Sequence, residues 1–168
     1  QRVYELHGVL LGIFVEALLI VGCLGERVVH DLAEAASDEL LADEEVLLTV
    51  ATLLGTLELR DLLIEDVLQQ PTPGAQLMLA VARTFTGLIR HNALALYALC
   101  MVELNLTMRT THALLAVLEE DRSHSLSRLL LAPAQAGAFD FMVRSVREGS
   151  RMVRANHGVS EPPQEQAA

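Results

Sequence analysis

Asp43-Glu44-Glu45-Val46-Leu47-Leu48-Thr49-Val50-Ala51-Thr52-Leu53-Leu54-Gly55 is the stretch on which the fold class turns. Its acids stand where the positive end of a helix dipole favours negative charge. Val46, Leu47, Val50, Leu53 and Leu54 then recur at helical spacing, and Gly55 supplies a stop. Leu57 to Gln69 repeats the pattern with Leu59, Leu62, Leu63 and Val67. Gln69-Gln70-Pro71-Thr72-Pro73-Gly74 reads as the clearest loop, since two prolines and a glycine break an ongoing helix.

Working downstream, the spacing predicts helices over Ala75–Ile89 and Asn92–Leu106, with a bend near His91-Asn92 and a turn at Asn105-Leu106-Thr107. Arg109 to Glu120 follows, closed by Asp121-Arg122-Ser123. Ser123 is the expected cap of a short helix over Leu126–Leu131. Pro133 and Gly137 bracket a second loop, and Ala138 to Ala155 reads as the last helix. No stretch alternates apolar and polar residues long enough to be a strand. The expected architecture is all-α, a compact bundle of about eight helices with short loops.

Upstream, Glu26 to Ala36 reads as a helical piece with Val28, Val29, Leu32 and Ala36 turned one way, and Ser37-Asp38 breaks it. Val3 to Leu24 is the most hydrophobic segment. Within Gly8–Gly25 the only charged residue is Glu16. A helix that is apolar all round belongs at the centre of a bundle, in a subunit interface or in a membrane. Eighteen residues reach about 27 Å, just short of a hydrocarbon core. Insertion worth roughly 5 kcal/mol is opposed by about 2.5 to 3.5 for the acid. Arg2 and Arg27 flank the run evenly. Shelter by protein is therefore the expectation, with this helix central and Glu16 paired with an arginine or facing water. A membrane helix with Glu16 as an ion- or proton-binding acid is the alternative.

The chain has 168 residues and mass 18.3 kDa, the size of one domain. That domain is expected over 1–157. Residues 160–168 lack core formers, and 158–168 reads as a disordered tail or a linker. Apolar residues make up 52% and aromatics 4%, so the core is aliphatic, drawn largely from 33 leucines. This composition excludes a disordered chain, a collagen-like repeat and a disulfide scaffold. Cys23 and Cys100 read as small buried hydrophobes. No basic segment precedes the first apolar run, which speaks against a signal peptide and for a cytoplasmic protein, membrane association being the alternative. Gln1 in place of Met leaves room for a longer protein.

All 12 basic residues are arginine and the net charge is −10, which argues against a nucleic-acid partner. The charge is segregated: residues 1–121 hold 6 arginines against 18 acids, and residues 122–157 hold 6 against 2. Arg144, Arg147, Arg151 and Arg154 are spaced to lie along one helical face, with Phe139, Met142, Val146 and Val153 towards another. This strip is either a solvated face balancing the acidic body or a docking strip for an acidic partner, a phosphate-bearing ligand or a membrane surface. With Glu16, these four are the candidate binding residues.

Catalytic signatures are missing. Di-iron bundles use paired Glu-x-x-His units, and the nearest match is a lone Asp121-x-x-His124. Glu26, His30 and Glu34 share a face that could hold a metal, but Arg27 and Asp31 beside them favour an exposed charged surface. His7, His91, His112 and His157 lack ligand spacing. There is no Cys-x-x-Cys, His-Glu-x-x-His, phosphate loop or nucleophile elbow, and no Ser or Cys has a recognisable base partner at local spacing. Neither a catalytic residue, a metal nor a cofactor is expected.

Ala95-Leu96-Tyr97-Ala98-Leu99-Cys100, His112-Ala113-Leu114-Leu115-Ala116-Val117-Leu118-Glu119-Glu120-Asp121, Ser125-Leu126-Ser127-Arg128-Leu129-Leu130 and Ala136-Gly137 read as a helical hairpin and a third helix. Their order and spacing, with Leu59-Arg60-Asp61-Leu62-Leu63 upstream, resemble the C-terminal helical part of an actinobacterial family of unknown function, over roughly residues 45–157. Asn105-Leu106-Thr107-Met108 stands where that family has a Gly-Asp-Gly turn. The hairpin also resembles a single tetratricopeptide-type repeat, too little to build a solenoid. The resemblance implies an actinobacterial or phage-like source and no activity.

Mean hydropathy is +0.37, high for a monomer, and surplus apolar surface usually ends in an interface. The expected function is that of a non-enzymatic helical interaction or scaffold module, with a protein partner or a homo-oligomer. A helical small-molecule-binding domain of the regulator type is one alternative, and a membrane protein anchored through residues 8–25 is another.

Overall fold

The computed structural model describes residues 44–156. The apolar run Gly8–Gly25 with Glu16, the piece Glu26–Ala36 with its Glu26, His30 and Glu34, Cys23 and the tail 158–168 lie outside the described residues.

Seven helices and no strand occur among the described residues. They are α1 (Glu44–Leu54), α2 (Leu57–Gln69), α3 (Pro71–Thr84), α4 (Gly87–Glu103), α5 (Thr107–Glu120), α6 (Ser125–Gln135) and α7 (Phe139–Asn156). The all-α expectation holds, and α2 has the span that its leucine spacing predicts.

Two expected loops are absorbed into helices. Pro71, Thr72, Pro73 and Gly74 form the first turn of α3 rather than a loop, with Gln70 alone joining it to α2. Proline suits that position, because the first turn has no use for its missing N–H. Gly74 sits at the contact of the two helices: a Cβ there would stand 2.6 Å from the Val67 carbonyl oxygen. Pro133 likewise lies within α6. It is close enough to the C-terminus to end a Schellman motif, in which Ala138 donates to the Pro133 carbonyl at 2.9 Å and Gly137 to that of Ala134 at 3.2 Å. Gly137 takes the required left-handed φ of +70°.

The bend expected at His91-Asn92 falls instead at Phe85-Thr86, and both polar residues are buried inside α4. The run Thr84-Phe85-Thr86-Gly87 holds weak helix formers. The expected turn at Asn105 is present. It closes α4 by a second Schellman motif: Asn105 at φ +58° donates to Val102 and Leu106 to Met101.

Among the described residues α4 is the most enclosed helix. From His91 to Val102 only Tyr97 is not buried. Helices α3 and α5 pack against it most extensively, α2 and α1 touch it as well, and α7 packs on α2. The core these surfaces enclose is aliphatic, with Leu53, Leu62, Met78, Leu96, Leu99, Leu114, Leu130 and Met142 almost fully buried. The Cys100 thiol is free and buried, and burial, with the nearby Glu103 charge, pushes its pKa up to about 12. Among the described residues no helix is long and apolar enough to cross a membrane.

Candidate functional site

A buried polar cluster links α2, α4 and α6. Asn92 is its hub, with no exposed surface. Its Oδ1 accepts from Arg60 Nη1 at 3.1 Å and from His124 Nε2 at 3.0 Å. Its Nδ2 donates to the Leu54 carbonyl at 2.8 Å, one of the C-terminal carbonyls that α1 leaves without a helical partner. Arg60 is anchored by Asp61, whose Oδ1 accepts from Nε at 2.8 Å. His124 Nδ1 accepts from the Ser127 hydroxyl at 2.8 Å and from the Ser127 backbone N–H at 3.3 Å. His124, not Ser123, is therefore the cap of α6. Ser123 turns back instead, donating twice to Asp121 Oδ1, and these bonds hold the Asp121 carboxyl below the ordinary range.

Ser127 and His124 do form a hydroxyl–imidazole pair at local spacing, which the sequence reading did not find. Loss of hydration on burial pushes His124 down to about 4, helped by the charge of Arg60. The imidazole is neutral, and the bonds assign its proton to Nε2. Ser127 has no exposed surface, so no substrate carbonyl can reach its Oγ. An imidazole near 4 is also a poor base at neutral pH. The arrangement satisfies buried polar groups.

From the buried His91, a further chain of polar contacts runs to the surface through Glu120 and Arg90. His91 lies edge-on to His124, with ring centroids 5.8 Å apart, and its Nε2 is 3.2 Å from Glu120 Oε2. Glu120 also takes the Arg90 Nε at 3.0 and 3.1 Å, while Arg90 Nη1 donates to the Ala82 carbonyl. Burial tends to raise the Glu120 pKa, but Arg90 and His91 outweigh it and hold the carboxyl low. Asp121 and His124 of the lone Asp-x-x-His spacing thus serve separate neighbours. Among the described residues no three His, Cys, Asp or Glu side chains could hold a metal ion.

The arginines of α7 separate into two groups. Arg154 is buried, and its Nη1 donates to the Leu62 carbonyl at 2.7 Å and to Asp66 Oδ2 at 3.2 Å. Arg147 bonds Glu65 at 2.7 Å, Glu103 at 3.1 Å and the Leu68 carbonyl at 3.2 Å. Arg151 is exposed and stands 3.7 Å from Glu65. Arg144 is exposed, with no ion pair within the described chain. Ser150 adds a bond to the Asp61 carbonyl at 2.6 Å. Arg147 and Arg154 thus turn inward and fasten α7 to α2, while Arg144 and Arg151 stay on the surface. Glu16, the fifth candidate, lies outside the described residues.

Beside this seam an open groove of about 300 Å³ runs between α6 and α7. Leu126, Leu129 and Pro133 line one wall, Phe141, Met142 and Gly149 the other, and Asp61 and Ile64 of α2 reach it. Leu129 is 68% exposed and Phe141 63%.

A family described as a domain of unknown function, DUF4192, matches residues 23–139. The chain belongs to the DUF4192 family. No curated protein and no solved structure matches it. The DUF4192 match takes in the whole buried cluster, Arg60, Asn92, His124 and Ser127, and ends at the first residue of α7. The groove and the arginine seam therefore use a helix beyond the matched span. The family description brings no activity with it, so the functional reading rests on geometry.

Proposed function

We propose that this DUF4192 chain is a non-enzymatic, cytoplasmic interaction module that seats a protein partner, a second copy included, against the groove of α6 and α7. The observation that carries this is the groove itself. It joins highly exposed Leu129 and Phe141 to an apolar trough, whereas the polar groups of the buried cluster are bonded within the chain. Exposed apolar surface of this kind is covered in use, and an aromatic anchor beside a pocket is the usual centre of such contacts. The free, buried Cys100 accords with a reducing compartment.

A second reading has its own support: about 300 Å³ is the lower end of small-molecule sites, so an apolar ligand could fill the same space. The hairpin of α4 and α5 supports a single tetratricopeptide-like pair. Buried Ala95, Ala98 and Ala113 let the helices close, and Thr110 Oγ1 donates to the Ala98 carbonyl at 3.1 Å.

A photo-crosslinking residue in place of Leu129, irradiated in cells and analysed by mass spectrometry, tests the reading. It should capture a defined protein, this chain or another. The same residue in place of Gln76, exposed on α3, should not. Equal capture at both positions refutes the module. A thermal shift with alkyl ligands and no adduct transfers the groove to the small-molecule reading.

A further inference from the structure

Helix α7 presents Phe141, Arg144, Ser145, Glu148, Gly149 and Met152 to solvent. At about 3.6 residues per turn these positions share one broad face. Phe141 is 63% exposed and Met152 64%. Arg144 and Glu148 have no ion-pair partner within the described chain, in contrast to Arg147 and Arg154. A Cβ built on Gly149 meets nothing within 4 Å, so another backbone can come close there.

The order of these residues is the telling feature. An apolar side chain stands at each end, Phe141 and Met152, and between them Arg144 and Glu148, opposite in charge, lie at mirror positions about a midpoint near Val146. We infer that α7 pairs antiparallel with α7 of a second copy about a two-fold axis, setting Arg144 of each chain against Glu148 of the other and Phe141 against Met152. This rests on the module reading above and names its partner.

The symmetry does the selecting. In an isologous contact, if residue i meets j then j meets i, so each element of the face must complement its own mirror position. Arg144 and Glu148 lie on the same flank of the helix, and an antiparallel two-fold keeps equal flanks together. Both ion pairs therefore form at once. Ser145 and Gly149 at the crossing allow a short interaxial distance. Phe141 against Met152 is a favourable ring–sulfur contact at each end. Leu129, on the groove wall contributed by α6, extends the apolar area on the other flank.

The test is sedimentation of the full chain with a charge swap. Wild type should dimerise over a concentration series reaching the order of 100 µM. Arg144→Glu and Glu148→Arg should each weaken dimerisation about tenfold or more, through like charges facing twice. The double variant should recover wild-type association. Gly149→Leu should abolish it while circular dichroism stays helical. A dimer indifferent to the single changes, or a double variant that stays as weak as the singles, overturns the pairing. A wild-type monomer overturns it too. If that monomer still gives a Leu129 adduct with another protein, the module reading stands without self-pairing; if it gives none, both fall.

Discussion

Asn92 ties three helices with one short amide. Its carbonyl oxygen serves a cation and a neutral imidazole together, and its amino group answers a helix-end carbonyl. Truncation would strand all three. Asn92→Ala should therefore destabilise by about 3 kcal/mol or more, since a buried guanidinium would lose a partner along with two neutral groups. Ser127→Ala, which removes a single hydroxyl donor to His124, should cost about 1 kcal/mol. Urea denaturation midpoints measure both, and similar losses would refute the hub. The titration of His124 follows from the same enclosure. Its pKa lies near 4 in the fold and near the ordinary 6.5 in the unfolded chain, so unfolding takes up a proton between those values. The stability it contributes is complete above about pH 6.5 and is lost as the pH falls towards 4. The melting temperature should drop across that window, and His124→Gln should flatten the drop; a profile unchanged by the substitution would contradict the assignment. None of this was legible in the chain order, because Asn92 meets Arg60 and His124 each across 32 residues. Only the His124–Ser127 pair, three residues apart, lay within reach of a local reading.

At the scale of elements, legibility followed how local the cause is. Leucine spacing marked α2, and Asn105 marked the turn after α4, because each is decided within one or two helical turns. The prolines misled, since the same residue that ends a helix also opens one, and only tertiary placement of Gln70 distinguishes the cases. Two glycines make the element scale testable with one kind of substitution. Gly74 touches α2: a Cβ would meet the Val67 carbonyl at 2.6 Å, and the backbone cannot yield without moving a helix. Gly149 faces open space within α7. Alanine generally gains about 0.5 to 1 kcal/mol over glycine inside a helix. Gly149→Ala should show that gain as a higher melting temperature of the monomer, at protein concentrations too low for association. Gly74→Ala should instead lower it, because overpacking typically costs about 1 to 3 kcal/mol. Equal signs for the two would mean that α2 and α3 are less closely packed than described.

At the scale of the whole molecule, the segregated charge becomes a fastening. The acidic body supplies Glu65, Asp66 and Glu103, and the basic end supplies Arg147 and Arg154. The sequence made the imbalance visible, but not its direction: the partners of α7 lie 82 and 88 residues away, and a strip of arginines looks the same whether it faces water or α2. Burial decides between them. Asp66 sits deep enough that lost hydration raises its pKa even against the pull of Arg154. Neither charge of this pair is therefore held cheaply, and each depends on the other. Arg154→Ala would leave the Asp66 carboxyl and the Leu62 carbonyl without their shared donor, and about 3 to 5 kcal/mol should be lost. Arg144→Ala, on the exposed side of the same helix, should change monomer unfolding by no more than about 0.5 kcal/mol. Adding Asp66→Asn to Arg154→Ala should recover part of the loss, since the stranded charge is then gone although the carbonyl stays unpaired. Denaturation at low protein concentration, where association does not contribute, reads all three. Equal effects at 144 and 154 would mean that α7 is held by its apolar face alone.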